Sequence, residues 1–299
     1  MKAIVKGSGL ALREVAAPAP GPGEVRVRVA YAGVCRTDLY VADGHLRAPL
    51  PRILGHELSG TVMDPAAGFP VGARVTVRPY LRCERCAGCK LSASEAEERA
   101  PCAAPSRLGI ERDGAFAEEL AIPASMLLRI PDALPLRTAA FVEPVAAALA
   151  VLRAPLPSNG RGLVPGNHRI AELTRRVLAV HGWNVDARSD ADADFAVETS
   201  HAVVGDLIRR IRPRGVLVLK SRPFEPVPMD LGMLVAKEIQ VAAVHYGSFE
   251  RAIALLAEGS LEVADLFGAE RTLDDWHATF ADARREDAKK QIFTVAGGT

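Results

Sequence analysis

Five cysteines mark the places where this chain could do chemistry, and their spacing divides them four and one. Cys83, Cys86 and Cys89 fall at CxxC intervals, with Cys102 a short loop later. Thiolates grouped this way let a turn point several sulfurs at one tetrahedral ion. A closed set of that kind braces a lobe and does no chemistry. Cys35 stands apart in Gly33-Val34-Cys35-Arg36-Thr37-Asp38, about 20 residues before Gly55-His56-Glu57. A thiolate, an imidazole and a carboxylate from distant segments suggest an ion with an open position, the catalytic arrangement. Singly, Cys35 would pass for a small hydrophobe and His56 for a hydrogen-bonded core residue. One closed set and one open set together point to a zinc-dependent enzyme.

Two kinds of scaffold must hold these residues. In the first third, Val25-Arg26-Val27-Arg28-Val29 alternates strictly, and Gly60-Thr61-Val62 and Ala73-Arg74-Val75-Thr76-Val77 are further short strands. Turns rich in glycine and proline separate them, a pattern that suits a small irregular barrel. From about Thr138 the period changes: Ala139 to Leu152 reads as one alanine-rich helix, followed by the breaker-rich linker Pro155 to Gly160. Strands and helices then alternate, with strands at Gly162 to Val164, Asn184-Val185, Phe195 to Val197, Gly215 to Leu219 and Glu238 to Val244. Helices are expected at Ile170 to Val180 and Val203 to Ile211 between them. That βαβ alternation implies a parallel sheet covered by helices.

With 299 residues, 49% apolar and 24% charged, the chain can bury a large core. Its net charge of +1 and lack of a basic run argue against a nucleic-acid partner. The strand-like N-terminus lacks a signal peptide's apolar core, and the stretch from Ala139 to Leu152 is too short to span a bilayer. Clustered cysteines without an export signal favour metal binding in a reducing, cytoplasmic setting. The paired basic groups Arg209-Arg210 and Lys289-Lys290 read as solvated faces.

On these residues the chain resembles the medium-chain dehydrogenase/reductase superfamily, specifically its zinc-containing alcohol dehydrogenases. Matching stretches are Gly33 to Asp38, Leu54-Gly55-His56-Glu57, the cluster Cys83 to Cys89, Asp113 to Glu118, Glu143-Pro144, Ile211 to Gly215 and Val218 to Ser221. The Glu143-Pro144 form is similar to the polyol, threonine and secondary-alcohol branch. The resemblance implies a fold that is α/β plus β. It pairs a GroES-like irregular β-barrel catalytic domain (1–138) with a truncated Rossmann doubly wound parallel-sheet domain (139–268) and a C-terminal return (269–299). It implies Cys35, His56 and Glu143 as catalytic zinc ligands, with Glu57 able to exchange into the fourth position. Thr37 would relay the alcohol proton, Asp38 would orient His56, and Arg36 matches a position that touches the cofactor pyrophosphate in some members. For the structural zinc, the family's fourth ligand position falls on Glu97, so either Cys102 or Glu97 completes the set with Cys83, Cys86 and Cys89; thiolate is the commoner donor.

The nucleotide fingerprint departs from its pattern. Gly166-Asn167-His168-Arg169-Ile170-Ala171 keeps the first glycine and an acceptable third residue in Ala171, but places His168 at the middle glycine. Asp186, 20 residues after Gly166, stands at the distance of a ribose-binding carboxylate, and Arg188 beside it would favour a 2′-phosphate. Between Asp186 and Phe195 the chain lacks a helix and strand usual in the family. Three readings follow. The first is a zinc-dependent oxidoreductase moving hydride between NAD or NADP and a secondary alcohol or ketone. The second is a zinc-dependent lyase, isomerase or cyclase, and the third a non-catalytic scaffold. The expected partners are a small-molecule substrate and a second copy of the chain, in a homodimer or homotetramer, with two zinc ions per chain and no membrane.

Overall fold

Alternation in Glu24–Gly33 builds the longest strand among the described residues, with Val25, Val27 and Val29 fully buried. Its pairing with Glu57–Val62 slips between Val29 and Tyr31, a bulge that gives the strand an extra residue. The inward set therefore changes phase: Ala30, Ala32 and Gly33 are buried after Val29. Gly33 ends directly opposite Glu57. The bulge thus aims the end of this strand, where Cys35 begins, at the segment that carries His56.

This computed structural model describes residues 1–65, 68–90, 101–188, 192–223 and 225–295. It has two compact units, Met1–Glu143 with Phe249–Thr299, and Pro144–Ser248. The sequence placed these turning points near residues 139 and 269. Among the described residues, no helix is long and apolar enough to cross a membrane.

In the first unit the strands run in the order Leu127–Arg129, Arg74–Val77, Glu57–Val62, Glu24–Gly33, Lys290–Thr294 and Phe267–Arg271. Glu119–Pro123 also pairs with Glu24–Gly33. The last strand thereby returns to lie beside the one that leads to Cys35. Under the sheet, the fully buried ring of Phe116 packs edge-on against Phe280 and Phe293 at 6.0 and 5.2 Å. Gly55, at φ +98°, lies flat against that ring, where a Cβ would come within 2.6 Å of it. Glycine is required there on both counts, and the next residue is His56.

The second unit holds a five-stranded sheet in the order Asn184–Asp186, Arg161–Leu163, Ala193–Glu198, Ile211–Leu219, Gln240–Ala243. All its pairings are parallel. Helix Arg169–Val180 buries Ala171, Leu173, Thr174, Val177 and Leu178, a stripe at helical spacing. The single helix expected from Ala139 to Leu152 is instead three pieces, Leu136–Ala139, Val142–Leu149 and the 3₁₀ turn Ala150–Arg153. Pro144 explains the break. A proline lacks the N–H that a helix interior needs and is tolerated in a first turn, so Glu143-Pro144 starts a new helix.

Candidate active site

Cys35 is the N-cap of helix Arg36–Ala42. Its backbone N–H donates to Asp38 Oδ2 at 2.8 Å, the reach-back of a third helical residue that fixes the start of a helix. The other oxygen of the same carboxylate accepts from Gly55 N at 3.1 Å and faces His56 Nδ1 at 3.2 Å. Asp38 thus ties the two motifs together, and it is 2% exposed. With Nδ1 donating to Asp38, His56 keeps its Nε2 lone pair for a metal. Burial lowers the basicity of His56, but the charges and hydrogen bonds of Asp38 and Cys35 outweigh it and hold the imidazole well above its usual range. Such a ring binds a cation strongly, whether proton or metal.

The ligand atoms of Cys35, His56 and Glu57 all lie within 4.8 Å of one another. Thiol, imidazole and carboxylate so grouped are a donor set that fits zinc. Thr37 Oγ1 is 3.9 Å from Cys35 Sγ, at the rim of this group. Glu143 is buried in the first turn of Val142–Leu149 but is not one of the converging three. Arg36 is exposed.

Sequence reasoning missed Lys290. Far from lying on a solvated face, it is 2% exposed and its Nζ donates to both oxygens of Glu57, at 2.6 and 2.5 Å. The reason is topological: Lys290–Thr294 is flanked by strands on both sides, and its first four residues are all buried. No local signal in the sequence marks Lys290 as buried, since its neighbours Lys289 and Gln291 are both polar.

Cys83, Cys86, Cys89 and Cys102 form a second group whose sulfurs also lie within 4.8 Å of one another. Cys86 and Cys89 sulfurs are 3.5 Å apart, and Cys83 N–H donates to Cys102 Sγ at 3.3 Å. The N–H of Ala103 leads in pulling the Cys86 thiol down to about 6, while burial leads in pushing Cys89 up to about 11. Four sulfurs facing one another fit a tetrahedral thiolate site. Glu97 lies outside the described residues.

In the second unit the strand order reverses between Arg161–Leu163 and Ala193–Glu198, the switch point where open parallel sheets bind ligands. Two side chains meet there: His168 Nε2 lies 3.3 Å from Thr199 Oγ1. His168 is also the N-cap of Arg169–Val180, and its Nδ1 accepts from the N–H of Ala171 at 3.4 Å. Its ring lies 3.0 Å from where a Cβ on Gly166 would stand. Arg175 donates to the carbonyls of Val164 and Gly166, at 2.7 and 3.0 Å, and so braces the turn from behind. Asp186 accepts from Arg161 Nε and Nη2 at 2.8 and 2.6 Å. The carboxylate at ribose distance is therefore engaged by a neighbouring strand, while Arg188 is exposed.

The alcohol dehydrogenase GroES-like domain family matches residues 21–132. Over 95% of its length the chain is 31% identical to the L-threonine 3-dehydrogenase of Streptomyces coelicolor, covering 96% of that protein. Similarity to the sorbitol dehydrogenase of Halalkalibacterium halodurans is 25% identity across 98% of this chain and 99% of that one. Among solved structures, a short chain alcohol dehydrogenase from Escherichia coli CFT073, complexed with NADH, superposes with a TM-score of 0.84. That alignment covers 98% of this chain and 99% of the other at 22% identity, a likeness of fold.

Proposed function

This chain belongs to the zinc-containing alcohol dehydrogenases of the medium-chain dehydrogenase/reductase superfamily, and from that premise we propose that it oxidises a secondary alcohol or reduces the matching ketone with a nicotinamide cofactor. The observation that carries this reading is the convergence of Cys35, His56 and Glu57, with Asp38 fixing the histidine tautomer. Zinc bound there supplies Lewis acidity, lowering the pKa of an alcohol so that hydride can leave near neutral pH. Cys35 and His56 hold the ion, with Glu143 as third protein ligand and Glu57 in reserve. Asp38 fixes the Nδ1–H tautomer of His56, so that the Nε2 lone pair is the one offered to the ion. Thr37 takes the alcohol proton and passes it outward. The Cys83, Cys86, Cys89 and Cys102 cluster holds a second, structural zinc, which makes two per chain. Metal analysis of protein purified without added zinc, with oxidation of a polyol and secondary-alcohol panel by NAD and NADP, tests the whole. Folded protein with neither metal nor turnover refutes it. The assembly belonging to this reading, a homodimer or homotetramer, is measured by light scattering.

Asp38→Asn is expected to lower turnover by about 10- to 100-fold, because it lets the amide and the imidazole choose the wrong hydrogen-bonding partner. Metal content and the pH profile of kcat read the effect; an unchanged rate removes Asp38 from the site.

For the cofactor, NAD or NADP takes the switch point at Gly166, His168 and Ala171, with Asp186 and Arg188 at its periphery. The N–H of Ala171 is already given to His168, in the turn where pyrophosphate oxygens accept such bonds. His168→Gly is therefore expected to tighten nicotinamide binding by about tenfold, about 1.4 kcal/mol. Fluorescence titration with NADH and NADPH measures it. Weaker binding in the variant would make His168 a ligand-binding group instead of an obstruction.

A further inference from the structure

Lys290 lies among the segments that carry Cys35, His56 and Glu143. Besides both oxygens of Glu57, which follows His56, its Nζ reaches the carbonyl of Val34 at 3.3 Å, immediately before Cys35. The ring centroid of Phe141, two residues before Glu143, is 6.0 Å away. Both partners of the ion pair are almost wholly buried, at 2% and 1%. A buried pair of this kind contributes little net stability, since well-packed apolar residues of the same size do as well. Its place in the fold points to the site instead. A carboxylate oxygen is itself a zinc donor, and Glu57 already stands within 4.8 Å of the Cys35 and His56 ligand atoms. Left uncompensated, an anion so near a divalent cation would bind it and fill the position a substrate needs.

We propose, on the strength of the metal reading above, that Lys290 is a positioning residue: by holding both oxygens of Glu57 it keeps that carboxylate in reserve and the position beside Cys35 and His56 open to substrate oxygen. The lysine does not touch substrate. It acts only through Glu57, so its loss should change coordination at the Cys35 site in addition to any stability cost of a buried carboxylate left without its cation.

Cobalt(II) has visible bands that follow its coordination and the entry of added ligands. A Cys35→Ala blank subtracts the contribution of the four-cysteine cluster. In the unmodified protein the Cys35 site should take up cobalt and its bands should shift on adding imidazole. In Lys290→Met the bands should no longer respond to imidazole, and zinc release to a chelator should slow by about tenfold. The double variant Lys290→Met/Glu57→Gln should regain the imidazole response, which no merely structural pair would produce. Should Lys290→Met not fold, Lys290→Gln keeps a hydrogen bond to Glu57 and is read the same way, with a weakened response and slowed release. An imidazole response and a zinc-release rate equal to the unmodified protein, in whichever variant folds, would overturn the proposal. An unmodified protein whose Cys35 site takes up no cobalt overturns the metal reading itself, and this proposal with it.

Discussion

Cys35→Ala and His56→Ala are each expected to lower turnover by more than about 100-fold while leaving the chain folded. Loss of a ligand must exceed the 10- to 100-fold effect typical of altering a group that merely supports one. The fold should survive because neither side chain carries the local structure. At Cys35 it is the backbone N–H that bonds Asp38, and alanine keeps it. At His56 the imidazole leaves, but Asp38 still accepts from the backbone of both Cys35 and Gly55. Circular dichroism and thermal unfolding should therefore stay close to those of the unmodified protein, and metal content should fall by the one ion of that site. Full turnover in folded His56→Ala would remove the metal from the reaction.

Much of the scaffold for this site was legible because it follows from period alone. The alternation of Val25, Val27 and Val29 forces one buried face, and the stripe Ala171, Leu173, Val177 forces a helix packed on one side. The phase change after Val29 was not legible. It depends on a bulge, and a bulge is decided by the partner strand, not by the residues that contain it. The broken helix at Glu143-Pro144 was readable in principle from the proline. An alanine-rich run has such strong helix propensity that the sequence reading carried it through.

At the site, CxxC spacing and the paired motifs signalled the cysteines and His56, because metal donors have restrictive chemistry. Two features stayed hidden for one shared reason. Lys290 lies 233 residues from Glu57, and Arg161 lies 25 from Asp186, so each pairing is made by strand order alone. Nothing at either lysine or arginine marks it locally as buried or engaged. Charged residues are exposed by default, and only the closing of the sheet reverses that expectation for Lys290.

Gly33→Ala is expected to destabilise the protein by on the order of 3 kcal/mol and to loosen the metal site with it. In the sequence Gly33 is simply the residue before Val34-Cys35. In the fold it faces Glu57 across the sheet, and a Cβ there would stand 2.3 Å from Glu57 Oε2, 3.3 Å from Glu57 Cβ and 3.2 Å from Lys290 Cδ. Neither side chain has room to withdraw, since both are buried and the pair is held at hydrogen-bond distance. The added methyl must therefore part a buried carboxylate from its cation, which leaves both charges uncompensated in a low-dielectric interior. Gly9→Ala is the control, because a Cβ there meets nothing within 4 Å. Denaturant unfolding of the two variants, followed by metal analysis of each, separates a local packing effect from a general cost of replacing glycine. Gly33→Ala should unfold at clearly lower denaturant and retain less metal at the Cys35 site, while Gly9→Ala should stay within about 0.5 kcal/mol of the unmodified protein. Equal stability and equal metal in the two would mean that the space between Gly33, Glu57 and Lys290 is not needed, and that the ion pair is free to move.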